Sequence, residues 1–340
     1  MTTRSYTNAF EIVDSTKELS LLPQAWTLLG DSGLFKDEFL SQSVVTFQEN
    51  AGSLAVLKDT LRGSKPLTTS NDVRKIHSYS VPHFALNDAL YPDDIAGKSA
   101  YGDLNQADTE ASAMLRKLTK LKKSYAVTKE VAAFHTLTTG TPYAPNGTIS
   151  TQSFYTDFGL TRNEVDFVLG TAGTDVVAKV ESIIAGFQSS VTDGDVVTEV
   201  TAYCSPGFFA KLIAHAKIQQ AYVYYSATEG QSILRNRAGG MGLYRKFSFA
   251  GVNFIEVPTV LAGNTLIPVN DAYFVANTDS GAFTRFYSPA NRFGLVNTTA
   301  MAEYLWSWKD QRGTEITIES ESNFLHTLLK PNLVARGYTA

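Results

Sequence analysis

Over residues 1–40 the apolar positions, among them Phe10, Leu21, Leu22, Trp26 and Phe35, are scattered between polar ones without a sustained period. That pattern predicts an arm with short helical pieces, one that needs another surface to lie on. From residue 41 to 90 the spacing changes to two: Val45 and Phe47 alternate with polar neighbours, Leu54 and Val56 do the same, and residues 76–81 read as extended. Gly52, Gly63 and Pro66 mark turns between these runs. The segment therefore reads as a long β-hairpin with few core residues. A two-stranded hairpin is marginal alone in water, so one of this length is expected to be supported by neighbouring subunits.

Between residues 108 and 137 the period becomes helical. Ala111, Met114, Leu115, Leu118, Leu121 and Tyr125 recur at three- and four-residue steps, with Lys117, Lys120, Lys122 and Lys123 on the other faces. Thr109 suits the N-cap and Gly140 the stop. A helix of roughly thirty residues at about 1.5 Å each is about 45 Å long, the length of a spine.

Beyond it, Asn146-Gly147 is a tight-turn dipeptide that predicts a hairpin between extended segments. Residues 165–169, a glycine-rich turn, and the periodic Val176, Val177, Val180, Ile183, Ile184 and Phe187 predict strand, turn, helix. A second such unit follows. Residues 197–203 read as a buried strand, Ser205 and Pro206 as N-cap and N1, and Phe209, Leu212, Ile213 and Ala216 as the inner face of the next helix. Residues 247–286 are strand-rich, and residues 304–308 and 315–318 read as a closing pair of strands. No internal repeat or low-complexity tract interrupts the chain.

Composition narrows the class. In 340 residues, 44% are hydrophobic and 18% charged, enough apolar material for a sizeable core and an α+β chain of two or three lobes. A formal charge of -4 argues against a protein that lives by neutralising phosphate backbone, so any contact with nucleic acid should be weak and non-specific. The first thirty residues carry Asp14, Lys17 and Glu18 and no apolar run suited to a signal peptide, and no stretch of eighteen apolar residues occurs. The expectation is a product made in the cytoplasm, without a membrane. One cysteine, Cys204, leaves no intrachain disulfide framework.

Candidate chemistry is sparse. Gly170-Thr-Ala-Gly173 before a helix superficially suggests a phosphate-cradling loop, but no Gly-Lys-Ser/Thr follows. The cluster Gly239-Gly240-Met241-Gly242 among Arg235, Arg237 and Arg245 reads as a loop at a subunit contact. His77, His83, His135, His215 and His326 show no metal-ligand spacing and read as hydrogen-bonded structural residues. Cys204 at a strand end, with His215 eleven residues on, reads as a buried inert thiol. Asp93 and Asp94, and Asp193 and Asp195, read as turn caps. No nucleophile elbow is present. The expectation is no enzyme, no cofactor and no metal.

Several local motifs resemble one family. Tyr79-Ser-Val-Pro82-His83-Phe84, followed by Asp88, Tyr91-Pro-Asp-Asp-Ile95 and Gly97, is similar to the end of the extended loop in the lambda-like major head protein (capsid E) family of tailed bacteriophages. Leu266-Ile-Pro268-Val-Asn270, Ala272-Tyr273-Phe274 and Phe286-Tyr287-Ser288-Pro289-Ala290 resemble strands that close that family's axial domain. Glu319-Ser-Glu-Ser322-Asn323-Phe324-Leu325 and Lys330-Pro331-Asn332-Leu333-Val334 resemble its terminal strand and tail. Residues 140–260 match only in strand–helix rhythm.

The resemblance implies an α+β Hong Kong 97-type capsid fold: an N-terminal arm (1–40), an extended β-hairpin loop (41–100), a spine helix with the first part of a peripheral domain (101–165), an axial domain (166–295), and return strands with a tail (296–340). It implies a structural major capsid protein, a homo-oligomer of pentamers and hexamers in an icosahedral shell around a double-stranded DNA genome, with portal protein, scaffold and a decoration protein as partners and the virion as its place. Subunit contacts are then expected at Trp26 and Phe35 in the arm, at Phe47, Leu54 and Val56 in the loop, and at Tyr222, Tyr224, Arg235 and Arg237 in the axial domain. The alternative for Trp26 and Phe47 is the subunit's own core. The alternatives for the whole chain are an encapsulin-like protein compartment shell and an enzyme with an unrecognised site.

Overall fold

The computed structural model describes residues 13–22, 27–50, 74–100, 103–107, 109–147, 149, 152–191, 195–220, 245–278 and 281–339. The N-terminal part holds β1 (Val13–Asp14), α1 (Thr16–Leu21), α2 (Leu28–Ser32), β2 (Lys36–Phe39), β3 (Val44–Asn50), β4 (Arg74–Ser80), β5 (His83–Leu90), β6 (Ser99–Ala100) and β7 (Asp103–Ala107). Next come α3 (Glu110–Thr139), α4 (Phe154–Asp157), β8 (Asn163–Asp166), α5 (Val176–Ser190), β9 (Val197–Cys204) and α6 (Pro206–Ala214). The C-terminal part is strands: β10 (Lys246–Phe249), β11 (Val252–Glu256), β12 (Val260–Leu261), β13 (Asn264–Thr265), β14 (Asp271–Thr278), β15 (Phe283–Tyr287), β16 (Tyr304–Lys309), β17 (Ile316–Leu328) and β18 (Val334–Tyr338).

The long helix α3 has the ends its sequence specifies. Thr109 adopts extended backbone and accepts a hydrogen bond from the Ser112 amide through its side chain. Gly140 closes the helix at φ +71°, with its amide on Thr136 O. Glycine is required twice over there: the left-handed backbone penalises a side chain, and a Cβ would stand 2.5 Å from the Tyr155 ring. The inner face of α3, including Leu118, Leu121, Tyr125, Phe134 and Leu137, is buried. Each such side chain contributes about 1.5–3 kcal/mol when fully removed from water.

That face lies on the first sheet, ordered β1-β16-β17-β15-β2 with β5 on the other side of β17. Leu118 and Leu121 meet Leu305 and Ile318, and the Tyr125 hydroxyl meets Ser320 Oγ at 3.0 Å. Alternation then sends Glu319 and Glu321 to the opposite face, where Arg292 pairs with Glu319 and stacks over Trp306 at 3.9 Å. Strand β17 is the keystone: β5, β15 and β16 all pair with it antiparallel.

The second sheet runs β10-β11-β9-β14-β18-β8, mixed in direction, with β9 parallel to β11 and antiparallel to β14. Its core is aromatic. Phe274 stacks on Phe167 at 5.6 Å and meets Phe254 edge-on, while Phe208 closes on Phe167. Helix α5 supplies Val176, Val180, Ile183 and Phe187, and α6 supplies Phe208, Phe209 and Leu212. The Ser-Pro start of α6 forms as expected, with Ser205 Oγ accepting from the Phe208 amide at 3.3 Å.

Two local expectations are corrected. Asn146-Gly147 sits in a turn, with Gly147 at φ +65° and its amide on Ala144 O, but no strand flanks it among the described residues. Ala216 is exposed; His215 takes the inward position and its Nε2 lies 3.1 Å from Thr171 O.

Candidate functional site

The hairpin β3–β4 pairs antiparallel from Val44↔Ser80 to Asn50↔Arg74. Its two faces differ. Val45 and Tyr79 are buried, Phe47 stacks on Tyr79 at 5.5 Å and on Phe158 at 6.2 Å, and the Tyr79 hydroxyl donates to Asp157. The other face leaves Ile76 67% exposed and Val44 41% exposed. The hairpin base is therefore part of the subunit core, and its opposite face, where Val44 and Ile76 stand beside Thr46 and Ser78, is exposed.

The segment before the hairpin is tied down by polar groups. Buried Glu130 of α3 accepts from the Leu29 and Gly30 amides at 2.9 and 3.2 Å, giving the start of α2 the anion that a helix N-terminus favours. Burial pushes the Glu130 carboxyl above its ordinary range, with the Leu28, Leu29 and Gly30 amides pulling it back. Strand β2 adds parallel to β15, where Arg285 holds Asp37 with two hydrogen bonds at 2.7 and 2.9 Å. Phe35 is buried between Phe283 at 6.0 Å and His326 at 4.8 Å. Phe39, 46% exposed, stacks on Tyr287.

Beneath this segment a polar row crosses the core. Lys129 Nζ meets Glu303 Oε1 at 2.8 Å, with side-chain exposures of 7% and 14%. Burial lowers the Lys129 ammonium's pKa, and Glu303 opposes that shift. His326 is held well below the usual histidine value by burial, then by the Arg285 and Lys129 cations.

Of the contact residues expected from sequence, Phe35 and Phe47 fall within the described structure: Phe35 is buried in the main core, and Phe47 packs half-buried against it. Trp26, Leu54, Val56, Tyr222, Tyr224, Arg235 and Arg237 lie outside the described residues, as does the Gly239–Gly242 cluster. Sequence reasoning missed Phe293, whose ring is fully exposed at the tip of the loop between β15 and β16. The signal for it was the apolar run Phe293-Gly-Leu-Val296 between two strands.

The chemical candidates resolve as structural features. Asp175 caps α5, its carboxylate accepting from the Ala178 amide at 3.1 Å, so the helix start after Gly173 already holds an anion. Cys204 is fully buried and its thiol is pushed well up by burial. Asp94 caps the turn at Tyr91 N, and Asp195 pairs with Lys330 at 3.0 Å. Among the described residues, no group of three His, Cys, Asp or Glu side chains gathers as a metal site, and no helix is long and apolar enough to cross a membrane. An open groove of about 360 Å³ is lined by Leu90, Tyr91, Pro92, Ile95, Lys309 and Ile316 among others, with no histidine or cysteine on its walls.

Comparison with known proteins gives a consistent result. The phage major capsid protein E family matches residues 13–339. The major capsid protein of Pseudomonas phage KPP10 is 36% identical over 349 residues, covering 99% of both chains. That of Salmonella phage Felix O1 is 24% identical over 361 residues, covering 98% of this chain and 97% of its own. Among solved structures, the capsid of cyanophage P-SCSP1u superimposes with a TM-score of 0.52 at 13% identity, covering 99% of this chain and 93% of its own. The mature capsid of bacteriophage PhiM1 gives 0.53 at 12% identity, covering 93% and 88%. These likenesses fix the fold as the Hong Kong 97 type. With its family model matched from residue 13 to 339 and a full-length relative at 36% identity, the chain belongs to the phage major capsid protein E family.

Proposed function

We propose that this protein is the shell subunit of a tailed-phage head, assembling with copies of itself as pentamers and hexamers into a closed icosahedral capsid around double-stranded DNA. The observation that carries the reading is the joint one of full-length family membership and a spine-and-sheet body from which the β3–β4 hairpin departs with Ile76 uncovered. Residues 1–40 act as the arm, 41–100 as the extended loop, 101–165 as the spine and first peripheral part, 166–295 as the axial domain and 296–340 as the return. Neighbour contacts fall at Trp26, Leu54, Val56, Tyr222, Tyr224, Arg235 and Arg237, with Phe47 at the loop base and Phe35 acting indirectly by fixing β2. Many weak contacts of this kind become collectively strong on a closed shell. Portal protein, scaffold and a decoration protein complete the assembly, which takes place in the bacterial cytoplasm; an encapsulin-like compartment finds no support in the capsid relatives found.

The test is negative-stain microscopy with sedimentation of the chain expressed in bacteria. Shells or capsomer-sized rings are expected. A uniform monomer of 37.1 kDa that also stays out of particles in infected cells would overturn the reading. The loop assignment is tested by joining Asn50 to Arg74 with a short Gly-Ser turn in place of residues 51–73. Removing 44–80 entirely would also strip Val45 and Tyr79 from the core, so the narrower deletion is the informative one. It should leave a folded subunit that makes no normal shells.

A further inference from the structure

Phe293 is fully exposed, although the loop that carries it, between β15 and β16, is pinned on both sides of the phenyl. Before it, the Asn291 amide donates to Glu321 Oε1 at 3.2 Å, and Arg292 pairs with Glu319 while covering the Trp306 ring. After it, Gly294 turns the chain at φ +90°, and Leu295 packs against the cluster of Ala290, Tyr304 and Trp306. The Thr298 amide and hydroxyl then donate to Leu295 O at 3.2 and 2.7 Å. Leu295 turns in while Phe293 and Val296 stay outside. Single exposed apolar residues are ordinary on a surface. A whole phenyl and a valine on one pinned turn form a small anchor of the kind that interfaces bury.

The same chain carries a seat for such a side chain. The groove of about 360 Å³ is lined by buried Leu90 and Ile316, half-buried Ile95, and exposed Tyr91 and Pro92. Leu90 and Ile316 belong to the cluster that includes Ala113 and Met114 of α3, so the groove lies on the helix side of the first sheet. Glu319, which anchors the Phe293 loop through Arg292, is three residues further along β17 and points to the other side. The sheet therefore stands between a subunit's own phenyl and its own groove. Two other concavities among the described residues suit a phenyl less. One is walled by Asn87, Asp88, Asp94 and Lys117, and the one beneath β2 has a volume of about 10 Å³.

We infer, on the basis of the capsid reading, that Phe293 of one subunit seats in the groove formed by Leu90, Tyr91, Pro92, Ile95 and Ile316 of a second copy of this chain. Phenyl and groove are different surfaces on opposite faces of one sheet, so the contact runs head to tail. Each subunit gives one phenyl and receives one, and the series closes where the rotation between subunits allows.

The test uses Val296→Cys and Ala96→Cys, which put thiols on the phenyl's loop and on the groove wall while leaving the phenyl in place; the native Cys204 is fully buried. In shells or capsomer-sized rings formed by the full chain, a short bismaleimide should link V296C/A96C subunits into a ladder beyond the dimer, since each subunit carries both ends of the contact. It should link neither single variant. Particles that give no ladder, or a dimer from V296C alone, overturn the inference. Phe293→Ala supplies a second measurement that needs no cysteine. F293A should melt at the wild-type temperature, because the phenyl is already in water, and should need about tenfold more subunit to assemble. Assembly of F293A at the wild-type concentration overturns the inference as well. Wild-type chain that forms no particles, alone or in infected cells, fails the capsid reading itself and takes the contact with it, whereas wild-type particles without the ladder fail the phenyl contact alone.

Discussion

Replacing Glu303 by Gln removes one charge from the ion pair that joins the spine helix to the sheet. Lys129 keeps its ammonium in a site with 7% side-chain exposure, 5.3 Å from the Tyr287 ring and 5.9 Å from the Phe324 ring. Asp37, the other carboxylate that acts on Lys129, is engaged by both arms of Arg285. Breaking a buried pair on one side costs about 3–5 kcal/mol, since the surviving charge stays desolvated. The two ring faces hold the cation in the wild type and the variant alike, so they leave that difference unchanged. The expected loss for E303Q at pH 7 is therefore about 3–5 kcal/mol, and the double variant K129M/E303L should recover most of it. Without Glu303 the Lys129 pKa falls further below its ordinary value, so the folded chain sheds a proton that the unfolded chain retains. Stability then rises with pH through the window above the folded pKa, and the E303Q deficit should shrink by pH 9.5. Urea midpoints at both pH values measure this. A loss under about 1 kcal/mol at pH 7, or one that does not shrink in alkali, would refute the account of Lys129 as a buried, paired cation.

Two further predictions concern the interior. His326, neutral in the fold, takes up a proton near its ordinary value only when unfolded. Wild-type stability should therefore fall with acid by up to about 1.4 kcal/mol per pH unit below roughly pH 6.5, and H326Q should flatten that part of the slope between pH 7 and 5 in urea titrations. Gly337→Ala would set a Cβ 2.7 Å from both the Phe167 and Phe274 rings. It should cost about 1–3 kcal/mol, read as a lowered thermal midpoint.

What was legible in the sequence is what local rules encode. Helix α3 announced itself by period, by Thr109 and by Gly140, and α6 by Ser205-Pro206, because caps act over three or four residues. Strand β17 was seen only in pieces. It is buried on both faces as the partner of three strands, so its alternation is lost, and its buried Ser320, Ser322, Asn323 and Thr327 look like loop residues. The Lys129–Glu303 pair was invisible because 174 residues separate its members and a helix lysine ordinarily reads as a solvent face. Phe293 was passed over for the opposite reason: an aromatic between strands suggests core, and only the tertiary structure shows the ring outside. The Asn146-Gly147 dipeptide gave the right turn and the wrong context, since turn chemistry fixes the bend and says nothing of what flanks it.

Strands β17 and β18 stand at the centre of the first sheet and inside the second, and both come from residues 316–338. A chain still on the ribosome has these residues in the exit tunnel until synthesis of that stretch is over. Neither sheet can close before then, and β5, β15 and β16 wait without their shared partner. Chains released before that stretch is made, by a premature stop codon or by ribosome stalling, therefore present no finished body to join a growing shell. The order of synthesis acts as a completeness check on every building block, set by nothing more than where one long strand is encoded.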